Sequence, residues 1–237
     1  RGALTEKTRL VVINSPSNPT GMAYAADELA ALGEVLREYP RVAVATDDMY
    51  EHIRWNTAVP FVNILNVCPD LADRTLVLNG VSKAYSMTGW RIGYAGGPAE
   101  IIKAMKKIQS QSTSNPTSIS QYAAEAALNG PQECIDEMLV QFKKRHDYVV
   151  ERLNAMPGVE CLPTDGTFYV FPSVRGLIDA IDGVQDDLQL AEHLIVNAGV
   201  ALVPGTAFGL GGHARISIAT SMENLENALD RIEKAIA

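Results

Sequence analysis

The chain is poor in the residues that build covalent or metal-held folds. Of its 237 residues only three are cysteines, Cys68, Cys134 and Cys161, an odd number with no two at CxxC spacing. That excludes a disulfide framework and a cysteine metal pair, and a reducing cytoplasm is the expected setting. The four histidines, His52, His146, His193 and His213, show no i, i+4 pairing of the kind a zinc site uses, so no metal is expected. No apolar run reaches the roughly 18 residues that a membrane helix needs, and no apolar leader precedes the first charged segment. Basic excess is absent too: Lys and Arg number 20 against 28 Asp and Glu, a formal charge of −8. A nucleic-acid binder needs a basic face, so that partner is not expected, and neither is a membrane. No internal repeat or low-complexity segment interrupts the chain.

What remains is an ordinary globular composition, 47% hydrophobic and 20% charged, in a chain long enough for one large or two modest domains. The first residue is Arg1, and "RGALTEKTRLVVINS" runs from charge straight into a strand. A piece of a longer protein is expected from that start. "RLVVINS" (9–15), "RVAVATDD" (41–48), "RTLVLNG" (74–80) and "RIGYAGG" (91–97) read as buried strands, short apolar runs with β-branched residues. Helical stripes separate them at 25–39, with Leu29, Leu32, Val35 and Leu36 on one face, and at 99–111 after Pro98. Strands without polar alternation, spaced by helices, predict a mostly parallel α/β sheet covered on both faces. The texture then changes. Helices at 117–130 and 131–156 lead into short strands, "VECLP", "TFYVFPS" and "ARISIAT" (214–220), with helices at 186–199 and 222–237. That α+β pattern places a domain boundary near residue 147 within the long helix.

Ligands of open α/β sheets gather beyond the carboxyl ends of the parallel strands. Four polar clusters fall at such ends: "NSPSNPTG" (14–21), "TDDMY" (46–50), "NGVSK" (79–83) and "GWR" (89–91). Each has a plain structural explanation when taken singly: a turn at Asn18 and Pro19, a cap at Asp47, solvated charges at Lys83 and Arg91. Their coincidence at one sheet edge favours a ligand. A lysine beside small hydroxyl groups can form a Schiff base, and an arginine fork with the Ser82 hydroxyl suits a phosphate. A strand-end aspartate can pair with a protonated ring nitrogen, while Tyr50 and Asn18 can donate to a phenolate oxygen. Aldehyde, phosphate, pyridinium and phenolate together describe pyridoxal 5′-phosphate.

At these residues the chain resembles the class I aminotransferases of pyridoxal-phosphate fold type I. The motifs are "SNPTG", "DDMYE", "SKAYSMTGWRIGY" and "ARISIAT", with "STSNPTSISQYAAEAALNGP" (112–131) and "PGTAFGLGG" (204–212) similar to bacterial members acting on aspartate and, in some cases, prephenate. The likeness runs through essentially the whole chain in the family's order. It implies that residues 1–146 are part of a large cofactor-binding domain and 147–237 a smaller C-terminal domain. It implies Lys83 as the Schiff-base lysine and proton carrier, Asp47 as partner of the pyridinium, and Tyr50 and Asn18 on the phenolate oxygen. Ser82 and Arg91 fall to the phosphate. Arg215 falls to the substrate α-carboxylate, with Asn18 beside it in substrate binding; an edge-strand surface charge is the plain alternative for Arg215.

The implied reaction is transamination between an amino acid, aspartate foremost, and a 2-oxo acid such as 2-oxoglutarate, in a homodimer. Two departures stand out: Asp48 where the family carries Glu, and Val81 where other apolar residues are found. The family's upstream phosphate loop, ring-stacking aromatic and subunit-arm tyrosine have no counterpart here, so the isolated chain is expected to be inactive. The alternatives are a lyase, a decarboxylase or an aminotransferase of other specificity on the same cofactor, and a ligand-sensing module that has lost catalysis. Among the other groups, the Asp186–Asp187 pair reads as a helix start, the glycines at 205–212 as a plain loop, and the histidines as surface or satisfied core residues.

Overall fold

The computed structural model describes residues 1–236. Short apolar runs form strands β1 (Leu10–Asn14), β2 (Ala43–Asp47) and β3 (Thr75–Asn79), and between the first two lies helix α1 (Ala26–Arg37). The Glu28 side chain reaches back to the Ala25 amide at 2.8 Å and closes the first turn of α1. Leu29 and Leu36 of α1 are fully buried against Ile13, Val44 and Ile64, with Gly33 packed on Cys68. A short helix α2 (Ile64–Val67) and a 3₁₀ turn at Pro69–Arg74 lead into β3; neither has a counterpart in the sequence reading.

β1, β2 and β3 pair in parallel, in the order β1-β2-β3-β4, and β4 (Tyr94–Gly96) joins β3 antiparallel. The sheet is therefore mostly parallel, but the fourth strand is shorter than expected and runs the other way. Its register places Asn79 opposite Tyr94, so the chain between them returns to the carboxyl edge it left. Leu10 and Val12 of β1 are exposed in this chain. Helices α3 (Ala99–Ser110), α4 (Ser118–Asn129) and α5 (Glu133–Asn154) follow.

Chain contacts divide the molecule into two compact units: Arg1–Pro16 with Ala23–Asp136, and Ser17–Met22 with Glu137–Ala237. The division and the residue-147 boundary both lie in α5. Unit 2 holds a second sheet, with β5 (Tyr169–Val170) and β6 (Val203–Pro204) on either side of β7 (Ala214–Ser217), all antiparallel. Helices α6 (Arg175–Ala180), α7 (Asp187–Ala198) and α8 (Met222–Ile236) belong to it. Their apolar stripes meet over a core that includes Val149, Leu153, Val170, Leu190, Leu194 and Ile218. "VECLP" forms no strand; Glu160 makes a single bridge to Ser173.

His146 of α5 is one of the satisfied core histidines. Its Nε2 accepts the Thr164 amide at 3.0 Å and its Nδ1 faces Asp147 at 2.9 Å, which fixes a neutral ring with the proton on Nδ1. The Thr164 hydroxyl donates to the Gly166 carbonyl, and the Asp165 and Gly166 amides donate to Gly21. Burial pushes the His146 pKa below its ordinary 6.5, and this outweighs the nearby Asp147 carboxylate, itself paired to Lys143. A histidine with a depressed folded pKa takes up its proton more readily when unfolded. Its contribution is complete above the unfolded pKa and fades as pH falls. The melting temperature is expected to drop on going from about pH 7 to about pH 5, and His146→Gln, which keeps an acceptor but cannot ionise, is expected to flatten that drop. Thermal melts of both proteins across the range check it.

Candidate active site

In unit 1 the site is built where β2 and β3 end. Asp47 is the last residue of β2, level with Leu78 of β3, and the Asn14 side-chain amide donates to its backbone carbonyl at 3.0 Å. The adjoining acid does a different job. Asp48 is 2% exposed and both of its oxygens are engaged, one by the Thr46 hydroxyl and one by the Asn63 side chain, each at 2.6 Å. Burial raises its pKa, with those two hydrogen bonds opposing. Asp47 is half-buried and accepts only the Met49 amide, at 3.3 Å through Oδ1, among the described residues. Asp47 is thus the carboxylate with capacity for a ligand cation. Tyr50, buried in the following turn, sits between the Asp48 and Ile53 amide bonds that shape that turn.

The end of β3 is tied to the same turn. Leu78 accepts the Asp48 amide at 2.9 Å, and the Asn79 side chain donates to Glu51. The 80–93 loop then carries Ser82, Lys83 and Arg91. Ser82 and Lys83 occupy a helical turn in which Val81 accepts from Tyr85, and both are partly buried. A 3₁₀ turn, Thr88–Trp90, follows, and Arg91 caps it with φ +53°, its Nη1 donating to the Thr88 carbonyl at 2.8 Å. Gly80 and Gly93 let the two ends of this loop touch. A Cβ on Gly80 would lie 3.1 Å from the Gly93 Cα and 3.2 Å from the Ile92 carbonyl. The glycines therefore serve backbone against backbone. The antiparallel β4, whose direction the expectation of a mostly parallel sheet left open, is what places Lys83 and Arg91 on one closed loop.

In unit 2, Arg215 lies on β7, opposite Val203, and β7 is the central strand, which removes the edge-strand explanation. Its Nη1 donates to Asn18 Oδ1 at 2.8 Å. Its guanidinium carbon lies 4.5 Å from the Tyr169 ring centroid and 4.9 Å from that of Phe208. Its Nε is buried with no hydrogen-bond partner among the described residues. A buried, orphaned donor on a cation is a group short of an acceptor, and a carboxylate supplies one. Sequence reasoning missed Tyr169 and Phe208, whose only signal was their place in "TFYVFPS" and "GTAFG".

The donor set of unit 1 fits pyridoxal phosphate: an amine, an arginine with a serine hydroxyl, and an aspartate with capacity for a ring cation. No cluster of histidine, cysteine and acid able to hold a metal occurs among the described residues, and no described helix is long and apolar enough to cross a membrane.

The chain is similar to known aminotransferases. The model of the family described as aminotransferase class I and II matches residues 1–232. The aspartate/prephenate aminotransferase of Nitrosomonas europaea is 54% identical over 99% of this chain and 60% of its own length. An aspartate aminotransferase of Rhizobium meliloti is 49% identical, with 98% of this chain and 58% of its own length covered. A crystal structure of the aspartate aminotransferase from Rhizobium meliloti superposes with TM-score 0.94 at 48% identity, covering 99% of this chain and 60% of that one. The aspartate aminotransferase from Thermus thermophilus with maleate gives 0.88 at 38% identity, covering 99% and 58%. This chain thus spans about 60% of the length of the curated relatives it matches.

The two neighbouring acids are separable by mutation. Asp47→Asn is expected to leave the urea midpoint nearly unchanged, since it disturbs one long hydrogen bond. Asp48→Ala removes the acceptor of both the Thr46 hydroxyl and the Asn63 side-chain amide, and Asn63 cannot flip because its oxygen already accepts the Leu65 and Asn66 amides at 3.0 and 3.3 Å. A loss of about 1–3 kcal/mol is expected, read from equilibrium urea unfolding.

Proposed function

The chain belongs to the class I and II aminotransferase family, and from that premise we propose that it serves pyridoxal-phosphate-dependent transamination of aspartate with a 2-oxo acid such as 2-oxoglutarate. The observation that carries the reading is the closed 80–93 loop, which carries an amine and an arginine fork at the end of β3, the strand paired with β2 and its terminal Asp47. The substrate rests on the relatives, which are named aspartate or aspartate/prephenate aminotransferases. A cytoplasmic homodimer is the proposed setting. Three apolar side chains of α3 and α4, Ile108, Ile119 and Tyr122, are 70–73% exposed, and either a subunit partner or the part of the relatives' length that this chain does not span would bury them. The 1–146 and 147–237 domains of the sequence reading are proposed on the same basis.

Bound pyridoxal phosphate supplies an electron sink for the pair released when a proton leaves the substrate α-carbon. The residues of unit 1 hold and protect that capacity. Lys83 Nζ would take the aldehyde and, once exchanged for the substrate amine, move the proton from the α-carbon. Asp47 would keep the ring nitrogen protonated through an ion pair. The Tyr50 hydroxyl would donate to the phenolate oxygen, and Ser82 with Arg91 would hold the phosphate. In unit 2, Arg215 would grip the substrate α-carboxylate and so fix the direction of the bond that breaks.

Assayed in a protein that spans the full length of the relatives, Lys83→Ala is expected to retain the cofactor while losing aspartate–2-oxoglutarate turnover by about a thousandfold or more. A coupled assay reads the turnover. Borohydride reduction of the parent protein with pyridoxal phosphate, followed by peptide mass analysis, locates the attachment. An alanine variant with near-parent turnover, or label on another lysine, sinks the assignment.

A further inference from the structure

Asp186 and Asp187 open helix α7 side by side, yet only the first caps it. The Asp186 carboxylate accepts the Gln189 amide at 2.8 Å, which completes the helix start. The second acid, 2% exposed, points its oxygens at a different segment. Oδ2 accepts the Thr206 amide at 2.7 Å, and Oδ1 accepts the Thr206 hydroxyl at 2.8 Å and the Gly212 amide at 3.2 Å. Thr206 and Gly212 stand at opposite ends of the loop joining β6 to β7. One carboxylate therefore fastens both ends.

That loop is wound tightly. A Cβ on Gly205 would lie 2.2 Å from the Leu210 carbonyl oxygen, and the Gly205 amide donates to His213 at 2.7 Å. Between its fastened ends the loop carries Phe208, whose ring lies against the Arg215 guanidinium and edge-on to Phe171 at 6.1 Å. Burial alone would raise the Asp187 pKa, but the bonds from Thr206 and Gly212 more than offset it and hold the group ionised, below the ordinary carboxylate value.

We infer that Asp187 is a positioning residue for Arg215: by pinning Thr206 and Gly212 it sets Phe208 against the guanidinium and holds the fork in its carboxylate-binding pose. This rests on the reading of Arg215 as a carboxylate-binding group. Asp187 acts through the loop and touches no substrate.

Succinate, a plain dicarboxylate, serves as the probe, titrated calorimetrically into the purified protein. Nitrogen–proton NMR spectra of the arginine Nε–H groups give a second readout, with the Arg215 signal assigned from Arg215→Lys. That signal feels the ring current of Phe208 and is independent of turnover. Asp187→Asn and Thr206→Val are each expected to weaken succinate binding by about tenfold and to shift the Arg215 Nε–H signal in the direction seen for Phe208→Leu. Thr206→Val deletes one hydroxyl and keeps the question open to test if Asp187→Asn does not fold. Parent-like affinity and an unmoved Arg215 signal in Thr206→Val and in folded Asp187→Asn overturn the inference. Parent-like succinate binding by Arg215→Lys, or none by the parent, overturns the carboxylate reading instead, and the NMR shift then decides the role of Asp187 alone.

Discussion

The contact of Gly80 with Gly93 is the constraint on which unit 1 depends. Parallel strands need a crossover to continue, and three of them here obey that rule. The fourth breaks it, because two residues without side chains let the chain leave β3 and return beside it. The consequence is geometric before it is chemical. Lys83 and Arg91, eight residues apart, belong to one loop whose two ends are paired in the sheet. The loop also stores local strain. Ser86 and Arg91 both have positive φ, +54° and +53°, a conformation that costs a non-glycine residue about 1–2 kcal/mol. Such residues persist where the surroundings over-determine them, and the Gly80–Gly93 closure is that determinant.

A second theme is the pairing of adjacent acids with unlike duties. At 47–48 the second aspartate is sealed into the fold by Thr46 and Asn63, which leaves the first with capacity for a ligand. At 186–187 the first is spent on the helix cap, which leaves the second to hold a distant loop. In both pairs the chemistry is decided by what else is within reach of each oxygen. Residue type alone would assign the four acids one role. Asp48, the departure noted in the sequence, reaches the Thr46 hydroxyl and the Asn63 amide, each at 2.6 Å.

Much of this was legible in the sequence. Apolar runs without alternation gave three strands within a residue or two of their bounds, and the polar clusters marked the carboxyl edge before any coordinates did. What escaped was whatever depended on partners remote along the chain. The direction of β4 is set by Gly80 against Gly93, and no periodicity within "RIGYAGG" encodes it. The central place of β7 depends on β6, two residues long and ending in proline, which has no strand signature of its own. The 205–212 glycines read as a plain loop because the acid that pins them lies on another helix. "VECLP" had the composition of a strand but found only one bridge, since pairing and not propensity makes a strand.

The environment of Arg215 completes the physical case for its assignment. A guanidinium on a central strand pays desolvation on every face that water leaves, and in a purely structural role it would carry a carboxylate partner. None of its eight-residue neighbourhood from Gly211 to Ile218 is acidic, and its hydrogen bond to Asn18 engages a neutral oxygen. The rings of Tyr169 and Phe208 recover part of the lost hydration through their π faces while forming no ion pair. The charge is therefore held in place and left electrically unanswered, with a buried Nε still to donate. A residue arranged in that way has a donor to offer, which is what the proposed role as a carboxylate-binding group requires. If Arg215 takes a carboxylate as proposed, that contact would also stabilise unit 2, because it would give the buried Nε on its central strand an acceptor.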